Sequence, residues 1–123
     1  MLKFLLDEQI PPAVAAGFRR RHRAVSIHHL AEWEQGRCMG QTDEQLLHEA
    51  SAQGLTLVTY DRKTVPPLLK IWAESGRDYG GVIFVDQKTI SSSNFVGLIR
   101  ALHQLWGETA QWHWTNRVLL LRR

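Results

Sequence analysis

The chain carries a single cysteine, Cys38, so it can form no internal disulfide. That suits a reducing compartment, and a cytoplasmic location is expected. No apolar run approaches the ~20 residues a membrane-spanning helix needs, so no membrane association is expected. The opening residues lack a basic stretch followed by a long apolar one, so no signal peptide is expected. The patterns GxGxxG, GxxxxGK and GxSxG are all missing, which removes the usual signs of dinucleotide, P-loop and hydrolase-elbow chemistry. Six scattered histidines and a run of serines, Ser91 to Ser93, do not make a triad. No repeat, low-complexity run or linker divides the 123 residues. A single domain spanning 1–123 is expected, with one core.

What is present reads as an ordinary globule, 44% hydrophobic and 22% charged. The net charge is +3 and the sequence pI about 9.4. Such an excess permits a nucleic-acid partner, and scattered solvated Lys and Arg would explain it equally well.

Apolar runs alternate with helical spacings along the chain. Residues 2–6 form a buried strand that stops at Asp7 and Glu8. Pro11 and Pro12 suit the first turn of a helix, and Val14, Ala15 and Phe18 recur at helical spacing as far as about His22. Its last turn, Arg19 to Arg23, is cationic. It can be a dipole cap on a solvated face or, through Arg20 and Arg21, a contact for a phosphate backbone. A short strand follows at 24–28. His28 and His29 point to opposite faces, so at most one could join a given site. Residues 30–41 read as a polar connection, a possible rim over a site, in which Cys38 has no base partner and is a bystander.

Thr42 and Gln45 fit a capping box, and Gly54 ends the helix they open, whose inner stripe is Leu46, Leu47 and Ala50. Residues 55–60 form a second central strand ending at Asp61, followed by Arg62 and Lys63. A helix over 65–75 should bury Leu68, Leu69, Ile71 and Trp72. Residues 82–85 are apolar throughout, as a strand covered on both faces should be, and end at Asp86. A helix capped by the serines at 91–93 should run to about Trp106, with Phe95, Leu98, Ile99, Leu102 and Leu105 inward and Gly107 ending it. A last strand lies at 117–121. Trp106, Trp112 and Trp114 crowd this end and suit a core or a dimer contact better than base stacking. The order βαβαβαβαβ predicts an α/β domain. Its five-stranded, largely parallel sheet has helices on both faces and the strand order 2-1-3-4-5.

That winding brings the strand C-termini and the start of the second helix to one edge of the sheet. Asp7, Glu8, Asp43, Glu44, Asp61 and Asp86 should gather there. Acids in a first turn, such as Asp43 and Glu44, are also common for dipole reasons alone. Carboxylates brought close without a cation repel. Hard oxygen donors suit Mg²⁺ or Mn²⁺, and a metal so held equips a nuclease or phosphatase. Arg62 and Lys63 could then touch a nucleic-acid backbone.

Three segments carry a resemblance: Leu5-Leu6-Asp7-Glu8-Gln9-Ile10-Pro11, Thr42-Asp43-Glu44-Gln45-Leu46-Leu47 and Leu57-Val58-Thr59-Tyr60-Asp61-Arg62. In order and spacing the chain resembles the small PIN-like proteins. These are relatives of the PIN-domain ribonucleases and of toxin components in bacterial toxin–antitoxin pairs. The resemblance implies a PIN-like fold, Mg²⁺-dependent RNA cleavage and an antitoxin partner. It also implies an acidic site of Asp7, Asp43 and Asp61, with Glu8 and Glu44 beside it. The sequence departs from the family at Gln9, where Asn or His is more usual. It departs again at Lys63 and Thr64, where a further acid and an aromatic residue often stand. Either the site holds a single metal, or its catalysis is weak or lost; Asp86 could substitute for the missing acid. A non-catalytic binding module on the same fold, or a small phosphatase or receiver-like domain, are the competing readings. A homodimer is expected, because a small sheet leaves an open edge.

Overall fold

The computed structural model describes residues 1–122 and resolves the apolar runs into five strands and four α-helices. In chain order these are β1 (Phe4–Leu6), α1 (Pro12–Arg21), β2 (Ile27–His29), α2 (Asp43–Ala52), β3 (Thr56–Thr59), α3 (Val65–Glu74), β4 (Val82–Val85), α4 (Phe95–Thr109) and β5 (Val118–Leu121). A short 3₁₀ turn, Trp33–Gly36, sits between β2 and α2. The sheet order is β2-β1-β3-β4-β5 and every pairing is parallel.

Strand side chains alternate between the two faces, and here both faces are covered. Phe4, Leu6, Val58, Ile83 and Val85 pack beneath α1 and α4, against Val14, Phe18, Leu98 and Leu102. Leu5, Leu57, Val82 and Phe84 pack beneath α2 and α3, against Leu46, Leu47, Leu69 and Trp72. Double coverage explains why the central strands read as unbroken apolar runs. Phe4, Leu5, Leu6, Val58 and Ile83 are all fully buried.

Several expectations need correction. The second strand begins at Ile27, because Val25 N–H folds back to the His22 carbonyl (3.2 Å) and spends residues 22–25 on a turn. The segment 30–41 is no loose polar rim: Leu30, Trp33 and Cys38 are buried in the core beneath α2 and α3. The cap of α4 is Asn94, whose Oδ1 accepts the Gly97 N–H at 3.0 Å. Gly107 does not end that helix, which runs on to Thr109. On an exposed helical face a glycine costs only about 1 kcal/mol, too little to stop a well-packed helix. Ile71 is 62% exposed and Phe95 39% exposed. The inner stripe of α3 runs through Val65, Leu69 and Trp72 instead, which turns Ile71 outward. Trp114 belongs to the core, and its Nε1–H donates to the Thr109 carbonyl at 3.2 Å.

Candidate acidic site

Strand parity aims the acids. Asp7 stands two residues beyond Leu5, and Asp61 two beyond Thr59, so both continue the faces that look toward α2 and α3. Those two helices begin at the same edge of the sheet, with Asp43 the first residue of α2 and Thr64 the N-cap of α3. Asp7 is buried, Asp61 half-buried and Asp43 exposed.

Two threonine hydroxyls knit these acids together. Thr59 Oγ1 donates to Asp7 Oδ2 at 2.8 Å and accepts the Asp61 N–H at 3.0 Å. It thereby ties the end of β1 to the end of β3. Thr64 Oγ1 meets Asp43 Oδ2 at 2.9 Å and also contacts the Asp61 carboxylate. Asp61 Oδ1 accepts the backbone N–H groups of Lys63 and Thr64, each at 2.9 Å. Asp7 Oδ1 accepts the Glu8 N–H at 2.7 Å.

The surroundings push the two strand-end acids in opposite directions. Burial raises the Asp7 carboxyl above its usual range, the Thr59 and Glu8 hydrogen bonds only partly opposing it, and the Asp43 and Glu8 charges raise it further. At Asp61 burial also acts upward, but the Thr64 hydroxyl, the two N–H donors and the Lys63 charge outweigh it and hold the carboxyl low. The second helix supports its acid through a complete capping box. Thr42 Oγ1 accepts the Gln45 N–H at 3.2 Å, and Gln45 Oε1 accepts the Thr42 N–H at 3.1 Å. Thr42→Ala removes one side of this box and is expected to cost about 1 kcal/mol. Chemical denaturation against wild type checks this, with the loss expected in midpoint and not in slope.

The other expected members sit apart. Glu8 is exposed beside Asp7. Glu44 turns outward to Arg77 (3.2 Å), whose guanidinium lies 3.8 Å from the Trp72 ring centre. Asp86 closes its own turn, accepting the Lys88 N–H at 3.1 Å. Among the described residues no hydrogen bond joins Asp86 to Asp7, Asp43 or Asp61. Arg62 and Lys63 line an open cleft of about 530 Å³ together with Gln9, Tyr60, Asp61, Thr64, Gln87 and Ser92. Arg20 and Arg21 do not belong here. α1 leads away from the acidic edge, so its last turn stands at the opposite edge of the sheet.

Of the histidine pair, His29 is the one that faces inward, and it has a role that the sequence did not show. Its Nδ1 accepts the Ala31 N–H at 2.9 Å, so the ring proton resides on Nε2, which donates to the Ile10 carbonyl. The ring is buried. With the Ile10 N–H bonded to the Asp7 carbonyl at 3.0 Å, His29 pins the turn that leaves the acidic site. Alternation along β2 shows that one histidine of the pair faces inward, but its partner comes from β1 and cannot be read locally.

Among the described residues no group of three or more His, Cys, Asp or Glu side chains is placed so that it could hold a metal ion. Mg²⁺ needs no group of that size, since it keeps several waters and commonly takes one or two carboxylates. Asp7 and Asp43, close enough for their charges to act on one another, and Asp61, joined to Asp43 through Thr64, supply hard oxygen donors of that kind.

The sequence model describing a PIN-like domain matches residues 2–77, more than half of the chain. The chain belongs to the PIN-like domain family. The matched part of this PIN-like protein runs from before β1 to just past α3, so it contains Asp7, Asp43 and Asp61 and excludes Asp86. No curated protein and no solved structure matches the chain. No helix among the described residues is long and apolar enough to cross a membrane.

Proposed function

We propose that this PIN-like protein is a metal-dependent endoribonuclease, the toxin component of a toxin–antitoxin pair. The observation that supports this most is the linked set Asp7–Thr59–Asp61–Thr64–Asp43 at one sheet edge, beside a cleft lined by Arg62 and Lys63. In this reading Asp7, Asp43 and Asp61 hold Mg²⁺ or Mn²⁺, with Glu8 and Glu44 nearby. When bound, the ion lowers the pKa of a water and shields phosphoryl charge. Thr59 and Thr64 fix the carboxylates in place. Arg62 and Lys63 bind the phosphates of the RNA on either side of the scissile bond. A homodimer and an antitoxin complete the reading, and the outer edge of β5 is the surface offered. Val118 and Leu120 are 52% and 36% exposed there.

The test is cleavage of RNA with Mg²⁺ or Mn²⁺ by wild type, Asp7→Asn and Asp61→Asn. Equal rates in all three remove the proposal. The second reading, a non-catalytic binding module, is favoured by one residue: Lys63 places a positive charge beside Asp61. Titration calorimetry separates the two, since the binding module gives no heat with millimolar Mn²⁺.

A further inference from the structure

Four of the arginines meet carboxylates or rings. Arg19 pairs with Glu32 (2.7 Å), Arg37 with Glu49 (3.5 Å) and Arg77 with Glu44, while Arg117 lies over Trp112. Among the described residues Arg20, Arg21 and Arg100 pair with no carboxylate, as is also true of Arg23, Arg62 and Arg122; what sets the first three apart is that they gather at one place.

All three flank the seam between α1 and α4. Gly17 makes that seam tight, since a Cβ there would lie 2.9 Å from Ile99 Cδ1 and 3.7 Å from guanidinium nitrogens of both Arg20 and Arg21. The two side chains therefore fold back over the helix, away from the C-terminal carbonyls that a dipole cap would seek. An open cleft of about 340 Å³ lies on the seam, lined by Arg21, His22, Val96, Ile99, Arg100 and His103. No acidic residue lines it.

Two of those residues are stacked imidazoles. The His22 and His103 rings lie 3.5 Å apart at 5°, with the uncharged Phe18 ring against both. The charged groups facing the pair are Arg21 from α1 and Arg100 from α4. Burial first, then His103 and Arg21, push His22 below its usual range. A phosphate in the cleft offsets this repulsion and favours proton uptake by His22.

We propose that the α1–α4 cleft is a second contact for the phosphodiester backbone of single-stranded RNA. Arg21 and Arg100 hold the phosphates, and His22, stacked on His103, tightens the hold when it gains a proton. The choice of RNA rests on the function proposed above; the unpaired cationic cleft does not. Val96 at its near end is four residues from Ser92, which lines the cleft beside Asp61. The chain from Ser92 to Val96 thus links the two clefts. Because protonation of His22 favours binding, affinity rises as pH falls.

The experiment is fluorescence anisotropy of a labelled oligoribonucleotide of about 12 nucleotides, in EDTA, with the Asp7→Asn chain, so that neither metal nor cleavage enters. In that background Arg21→Gln with Arg100→Gln is expected to weaken binding roughly tenfold and to flatten the dependence of log K on log salt by about 1.4. Arg21→Lys with Arg100→Lys should keep most of the salt slope, which separates lost charge from lost structure. From pH 8 to 5.5 the parent should gain roughly tenfold in affinity and His22→Asn much less. Unchanged affinity and slope in the double glutamine variant overturn the proposal, as does a loss seen only with phosphatidylserine vesicles and not with RNA. Failure of cleavage with RNA binding intact removes the nuclease reading alone.

Discussion

Asp7→Asn is expected to abolish Mg²⁺- or Mn²⁺-dependent RNA cleavage while making the protein more stable at neutral pH. The two effects share one cause. Asp7 is 8% exposed and its carboxyl is held above the ordinary range, first by burial. Its charge is therefore a cost to the fold, which a bound cation would offset under the proposed function. Removing that charge should raise stability by about 1 kcal/mol, or roughly 4 °C in Tm. Removing the ligand should lower cleavage roughly 100-fold or more. The pH dependence follows in sign. A carboxyl with a raised native pKa binds protons more tightly folded than unfolded, so wild-type stability falls as pH rises from the unfolded chain's value of 3.8 through the raised value. The advantage of Asp7→Asn is then fully present above that window and absent below it. Melting curves from pH 3 to 8 beside an RNA cleavage assay check both halves. A variant that is destabilised at pH 7, or that cleaves like wild type, counts against this account. Mn²⁺ should raise the Tm of wild type and leave that of the variant where it is.

His29→Ala is expected to lower stability by about 3 kcal/mol, roughly 10 °C in Tm. The ring is 2% exposed and serves two backbone groups, the Ile10 carbonyl and the Ala31 N–H. Truncation leaves both unpaired in the interior and opens a void beside them. His29→Gln, which retains a donor and an acceptor, should recover part of the loss. The functional consequence separates His29 from an ordinary core residue. Releasing Ile10 frees the turn that begins at Asp7, so Mn²⁺ affinity by calorimetry should fall even at temperatures where the variant is fully folded. Leu102→Ala, on the buried face of α4 and with no hydrogen bond to that turn, should destabilise comparably and leave Mn²⁺ affinity unchanged.

The architecture was legible because its signals were local and redundant. The apolar run at 82–85 is β4 residue for residue, and the Thr42–Gln45 pair is a formed capping box. The strand order and the approach of Asp7, Asp43 and Asp61 followed from the alternation of strands and helices. What could not be read depended on contacts made at a distance. Ser91, Ser92 and Ser93 advertise a cap as strongly as Asn94 does, and only packing of the next turns decides between them. The outward turn of Ile71 is set by which neighbouring rows of α3 find the sheet. Arg20 and Arg21 were close in sequence to the acidic site and stand at the opposite edge, because a helix carries its last turn away from its first. Thr59 and Thr64, small and polar, gave no sign that each would join two elements.

The part of the chain that matches the family holds every acid of the linked set, yet it leaves β3 without its second neighbour. Val58 and Phe18 belong to the same buried layer as Ile83, Leu98 and Leu102, which lie beyond residue 77. A fragment cut at that point would present a naked strand and a stripped apolar floor to solvent, and would be expected to self-associate. The chemistry and the shelter that permits it are thus written in different thirds of the sequence, and neither can be transplanted alone.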